Sequence, residues 1–463
     1  MKKSIIPIAL MMAAAMPFVS NAQSPDKEFY LRPSYWRPYD QRGVNVFETT
    51  KAPDTIPFEG TRVRFGAGFT MQYQNLKQEN SKNYGATRLY PLQSGFMTSQ
   101  ADLFLDVQLA EGVRMNVTTY LSARHHNEAW VKGGYIQIDK APFLKSKFVD
   151  ELMKIATIKV GHMEINYGDA HFRRPDGGHT LQSPFMEGNL LDAFATEIGG
   201  EVYLQKNGLF GMVGLTNGMI KGHVDSTYIV KASDGTVVDG NTKRSPSLYL
   251  KGGIDKQLSE KLRVRFSGSY YHNSSSAGSG LTLYGGDRTG SNYQNVMESV
   301  PAGTANPAGT AIAFSGRIDP KFSKQVDAFM LNAFVKAGGL ELFGTYETAN
   351  GRTKTETANR NANQIAGDVI YRFGKSENFY LGARYNVANV TLGKGQVVPA
   401  ATTSVANFDA QVDRTSFAAG WFMTRNILMK GEYVIQNYNK FPTVDYRNGG
   451  KFNGYVIEAV VGF

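Results

Sequence analysis

From about residue 60 to its last residue the chain alternates apolar and polar side chains with a period of two, segment after segment. That period puts successive side chains on opposite faces of a strand, so each segment has one apolar and one polar face. In 62–73, Val63, Phe65, Ala67, Phe69, Met71 and Tyr73 share one face, while Arg62, Arg64, Gly66, Gly68, Thr70 and Gln72 share the other. The pattern recurs clearly in 101–109, 113–124, 262–271, 340–348, 365–373, 379–387, 417–423, 427–435 and at the C-terminus, where Tyr455, Ile457, Ala459, Val461 and Phe463 alternate. Weaker versions lie near 130–140, 156–166, 193–205, 209–216, 246–256 and 324–336, which makes sixteen strands.

The connections point to how such strands close. Even-numbered ones are tiny, at Glu111-Gly112, Lys206-Asn207-Gly208, Ala337-Gly338 and Lys375-Ser376. Odd-numbered ones are mostly long: 75–98, 167–192, 217–245, 272–323, 391–408 and 439–451. Segregation of loop length by parity is the mark of a transmembrane antiparallel β-barrel with short periplasmic turns and long extracellular loops. Strands of roughly 9–11 residues span a bilayer when tilted, and lipid forbids an open sheet edge. Tyr73, Tyr371, Phe373, Tyr385, Tyr455 and Phe463 near strand ends fit interfacial aromatic girdles. The expected fold is all-β, a barrel over 61–463.

Before the barrel come two other segments. Residues 1–22 read as a secretory signal peptide: Lys2 and Lys3, an apolar run from Ile5 to Val19, then Ser20-Asn21-Ala22 before Gln23. Residues 23–60 hold Arg32, Arg37, Arg42, Tyr35, Trp36 and Tyr39 and are expected to form an extended periplasmic lead-in, with insertion into the pore mouth as the sharper alternative. Connection 141–155 departs from the short-turn rule, with Leu144, Phe148, Leu152 and Ile155 at helical spacing, as in a short amphipathic helix against the inner rim. Ile158 and Val160 share parity with His162 and Glu164, which predicts a bulge at Gly161. Residues 227–240 read as a small hairpin around Asp234-Gly235.

Composition excludes several function classes. The chain has no cysteine, so there is no disulfide framework or thiol chemistry, and no lipid-anchoring cysteine. It carries no HExxH, glycine-rich phosphate loop or EF-hand, and no cofactor or metal is expected. Histidines 125, 126, 162, 171, 179, 223 and 272 fall in loops or strand ends, and His125-His126 beside Ser122 lacks a nucleophile motif. The formal charge of +10 is dispersed through the strands rather than gathered into a nucleic-acid module.

GHMEINYGDAHFRRPDGG at 161–178 and NLLDAFATEIGGEV at 189–202 resemble the phosphate-selective porin family of types O and P. The resemblance implies a homotrimer of sixteen-stranded barrels in the outer membrane of a Gram-negative bacterium, among its lipids and lipopolysaccharide. It also implies a pore narrowed by the third long loop. Here that loop is 167–192, which makes His171, Arg173, Arg174 and Asp176 candidate constriction residues.

Strand parity gives further lumen candidates: Lys251, Arg384, Lys430, Asp106, Glu197 and Glu201 along the pore, and Arg62, Arg64, Arg114, Arg263 and Arg265 at the inner mouth. At mid-height basic and acidic groups balance, whereas a phosphate-selective pore needs cations along the constriction. The reading is passive diffusion of small hydrophilic solutes and ions with a mild preference for anions, phosphate among them, and no bond made or broken. The alternative is a non-conducting barrel that serves as adhesin, scaffold or envelope-assembly component.

Overall fold

The computed structural model describes residues 36–49, 51, 57–83, 87–122, 130–176, 179–218, 228–239, 246–274, 283–285, 292–300, 315–396 and 406–463. The signal segment, Arg32, Tyr35, His125, His126 and His223 lie outside these residues.

The long strands among the described residues are β1 (Arg62–Glu79), β2 (Gln100–Ala110), β3 (Val113–Ser122), β4 (Trp130–Ile138), β5 (Ala156–Glu164), β6 (Thr196–Lys206), β7 (Leu209–Thr216) and β8 (Ser247–Ser259). The second half follows as β9 (Leu262–Ser274), β10 (Gln325–Ala337), β11 (Leu340–Arg352), β12 (Arg360–Phe373), β13 (Phe379–Leu392), β14 (Phe408–Thr424), β15 (Ile427–Asn439) and β16 (Lys451–Gly462). Each pairs antiparallel with its sequence neighbours, and β1 pairs with β16 from Gly68↔Gly462 to Glu79↔Lys451. The result is a closed antiparallel barrel of sixteen strands. Gly95–Phe96 adds a two-residue ladder onto β1, and a separate hairpin pairs Tyr228–Val230 with Val237–Asp239.

Two-residue turns need residues that tolerate positive φ. Asn207 and Gly208 have φ of 53° and 81°, the combination that matches the twist of a tight hairpin. On β12 the neighbours Gln364 and Ile365 are 0% and 56% exposed, and Asp368 and Val369 are 3% and 52% exposed. The apolar face is therefore outside and the polar face inside, the inverse of a water-soluble core and the arrangement that suits a barrel surrounded by hydrocarbon.

Three expectations are corrected, and a fourth feature is new. The pairings run through Gly161 without a register shift. The bulge lies one strand earlier, where Thr118 pairs with Gly133 and Thr119 with Val131, leaving Lys132 as the extra residue. The helix in the long inner connection, α1 (Lys147–Met153), turns Val149 and Met153 inward, while Leu144, Phe148 and Leu152 stay exposed. Residues 36–49 do not form an external lead-in; they pack against inward-facing barrel side chains. Finally, the long-loop half of the lumen holds an apolar core. Leu76, Tyr249, Val326, Val412, Val434 and Phe452 of the wall meet Tyr167, Met186, Leu190, Tyr293 and Val296 of the loops.

The closing seam is tight at Gly454, whose φ is 146° and whose added Cβ would lie 2.2 Å from the Asn75 carbonyl oxygen. Gly454→Ala is expected to lower barrel stability by about 2 kcal/mol. A urea titration scored by the electrophoretic shift between folded and unfolded barrel checks this, and an unchanged midpoint would show that the seam accommodates a side chain.

Candidate functional site

Two segments enter the lumen, one from each end. From the inner end, residues 36–49 begin with a turn over Gln41–Gly43 that Asp40 caps by accepting from the Arg42 amide at 2.9 Å. The Gln41 amide donates to the Arg425 carbonyl at 2.9 Å, and the Tyr39 hydroxyl donates to Asp106 at 2.9 Å. Arg263 donates to the Asn45 carbonyl at 2.9 Å, and Arg37 to the Phe172 carbonyl at 2.8 Å. That last bond joins the segment to the folded-in loop.

The loop between β5 and β6 enters from the outer end. A chain crossing a lumen has no sheet to satisfy its amides, so wall side chains do it. Ser269 accepts from the Gly168 amide at 3.0 Å, Asn332 from Asp169 at 2.8 Å, and Glu432 from Met186 at 2.9 Å. Asn386 accepts from Leu190 at 2.7 Å. Gly168 has φ 70°, and a Cβ there would meet the Met330 sulfur at 2.1 Å. Burial and backbone conformation both require glycine at that position.

A four-charge cluster ties segment, loop and wall together. Lys251 Nζ lies 2.8 Å from Glu48 and 2.7 Å from Asp169, and Arg265 lies 2.7 Å from each of the same two carboxylates. Burial alone would raise both carboxyls, but the two cations outweigh it. Glu48 is lowered to about 2, and Asp169 is held well below the usual carboxylate range.

The other sequence-predicted residues are mostly structural ties rather than open pore wall. Arg173 is buried, donates to Asn45, and lies 4.0 Å from Glu341 and Asp368. Arg174 is buried between Asp192 at 2.7 Å and Asp176 at 3.4 Å, so the loop's arginines are neutralised within the fold. Arg384 pairs with Asp368 and donates to the Glu187 carbonyl at 2.8 Å. Lys430 pairs with Glu458 at 2.9 Å and donates to the carbonyls of Thr180, Ser183 and Phe185. Glu201 accepts from Tyr249 at 2.9 Å, and Glu197 from Tyr271 at 2.7 Å. Arg263 pairs with Asp255 at 2.7 Å. Arg62 stays near the rim, donating to the Pro57 carbonyl at 2.8 Å.

Among the described residues, open space lies on one side of the loop, against β2–β6. It is a cavity of about 220 Å³. Among the candidates Arg64, Arg114, Asp106 and His171 reach it; His171 pairs with Glu164 and bonds Asn166 at 2.9 Å. Sequence reasoning missed Lys132 and Lys159 on its wall. Lys132 points inward because the bulge re-aims it, and it lies 2.7 Å from Asp176 and 3.8 Å from Asp102. Lys159 lies 3.6 Å from Glu201 and 4.4 Å from the centre of the Tyr135 ring. Its parity opposite Ile158 and Val160 was a legible signal; the bulge at Lys132 was not. Aromatic rings line the same space, with Tyr39 stacked on Phe104 at 4.1 Å and Arg64 over Tyr39 at 4.6 Å.

The structure aligns with an anion-selective porin from Comamonas acidovorans over 87% of this chain and 100% of that one, with TM-score 0.51 and 10% identity. The fold is that of the outer-membrane porins. Other similar structures are a loop-deletion mutant of OmpT from Vibrio cholerae (TM-score 0.47, 12% identity, 88% of this chain and 100% of that) and the channel DcaP of Acinetobacter baumannii (TM-score 0.46, 11% identity, 87% and 98%). No protein-family model matches the chain, and no curated protein matches it.

Because Glu48 is depressed from 4.5 to about 2, its anchoring contribution is fully present above about 4.5 and is lost as pH falls toward 2. A spin label at Gln41→Cys, in a chain with no other cysteine, should be immobile at neutral pH and gain mobility across that acidic window. Mobility unchanged down to pH 2 would show that the segment is held without the charge cluster.

Proposed function

We propose that this porin-like barrel is a narrow passive channel of the outer membrane for small hydrophilic solutes, with a preference for anions. The observation that supports it is the charge of the cavity wall. Arg37, Arg64, Arg114, Lys132 and Lys159 line it against Glu48, Asp106 and Glu164, with three histidines besides. A cationic wall raises the local concentration of anions and lowers that of cations. The loop 167–192 acts as the constriction by occupying space, whereas its own arginines hold it in place. Phosphate is the solute to test first within the anion class, on the resemblance of residues 161–178 and 189–202 to the phosphate-selective type. Export by residues 1–22 and assembly as a homotrimer complete the proposal.

Reversal potential in a planar bilayer under a KCl gradient tests it. Wild type should reverse on the anion side, with conductance steps in groups of three. Lys132→Glu with Lys159→Glu should shift the anion-to-cation permeability ratio toward cations on the order of tenfold. Arg174→Ala removes one cationic partner from Asp176 and from Asp192, which keep Lys132 and Arg317, at a cost of roughly 1–3 kcal/mol. It should loosen the loop and raise conductance with a smaller change in selectivity. An unchanged ratio in the double-glutamate variant removes the anion assignment.

A second reading, a closed barrel serving as adhesin, scaffold or assembly component, is favoured by the apolar core in the long-loop half of the lumen. Inserted barrels that never conduct would select it.

A further inference from the structure

The connection between β4 and β5 lies at the end of the barrel that carries the two-residue turns, and it presents an apolar surface to the outside. Ser146 caps α1, with its hydroxyl accepting from the Val149 amide at 3.4 Å. At about 100° per residue, Phe148, Leu152, Val149 and Met153 form one continuous apolar arc, and Lys147, Asp150, Glu151 and Lys154 form the opposite arc. The apolar arc divides in two. Val149 and Met153 pack with Ala141, Ile138 and Ala156, whereas Phe148 is 76% and Leu152 42% exposed. Phe143 and Leu144, in the preceding turn, are each 57% exposed.

The wall beneath this helix is the outer wall. Ile136 pairs with Val160, and both are exposed on the lipid side. Ile138 and Ala156 continue the same two faces toward the short-turn end by strand parity. The helix therefore covers the last lipid-side residues of β4 and β5 and carries their apolar surface onward through Phe148 and Leu152. Lys140, Lys145, Lys147 and Lys154 flank it, against Asp150, Glu151 and Glu111.

We propose that residues 141–155 are an interfacial membrane anchor, seated in the headgroup region of the periplasmic leaflet. Phe143, Leu144, Phe148 and Leu152 enter the acyl boundary, and the lysines reach the lipid phosphates. Continuity with the lipid-facing wall selects this occupant: a water-exposed patch of this kind would be costly, and an amphipathic helix with basic flanks is the form that lies in an interface. The proposal rests on the barrel spanning a membrane.

The chain's lack of cysteine permits a direct test. Spin labels at Phe148→Cys, Leu152→Cys and Glu151→Cys, with Val160→Cys as the wall control, are compared in vesicles of phosphatidylethanolamine and phosphatidylglycerol. The readout is accessibility to oxygen, which concentrates in lipid, against a water-soluble nickel chelate. The 148 and 152 labels should favour oxygen as the 160 label does, and the 151 label should favour nickel. If 160 favours oxygen while 148 and 152 favour nickel, the anchor is overturned and the barrel stands. Labels at 148 and 152 shielded from both reagents also overturn it, pointing to a protein partner such as a second copy of the chain. A 160 label that favours nickel overturns the membrane-spanning reading itself.

Discussion

The pairing of β1 with β16 is the constraint on which the rest depends. A sheet in hydrocarbon has no water to satisfy an edge, so sixteen amphipathic strands are stable there only when the first and last join. The seam runs from Gly68↔Gly462 to Glu79↔Lys451, and the Phe463 amide and carbonyl also bond with Ala67. Closure fixes the register of every strand between, and thereby which side chains face the lumen. The close approach at Gly454 shows how little slack the seam has.

Once closed, the barrel has an interior that must be filled or wetted. Here much of it is filled. The loop before β6 and residues 36–49 bring unpaired amides and carbonyls inside, and the inward polar residues of the wall meet them. Asn332, Ser269, Asn386 and Glu432 accept amides, while Arg384 and Lys430 donate to carbonyls. The charges along the wall thus serve two ends. Those facing the loop are buried and paired, and their removal leaves a partner uncompensated. Those lining the cavity beside β2–β6 are paired too, Lys132 with Asp176 and Lys159 with Glu201, but they border open space.

Strand parity made the lumen-facing set legible but could not sort it. Lys251, Arg384 and Lys430 do point inward, yet they end on Asp169, Glu187 and Thr180 because the loop fills the space in front of them. Arg173 and Arg174 stand out in the sequence as a basic pair in the third long loop, but Arg173 lies near Glu341 and Asp368 of distant strands, and Arg174 sits between Asp192 and Asp176. Lys132 lies in a segment whose alternation is weak because an extra residue interrupts it, and that interruption is what turns it inward. The helical spacing of Leu144, Phe148 and Leu152 is real, yet Val149 and Met153 take the protein side and leave those three outside.

What the sequence determined by itself is everything that depends on local periodicity: sixteen strands, their apolar and polar faces, the tight turns at one end and the long connections at the other. These follow from side-chain alternation and from residues that accept positive φ, which are properties of neighbours in the chain. What only the tertiary structure decided is which parts of the lumen are filled and which stay open. That outcome depends on where an unpatterned loop and an N-terminal segment find partners for their backbone groups and charges. Those partners lie on distant strands that become neighbours only when the barrel closes.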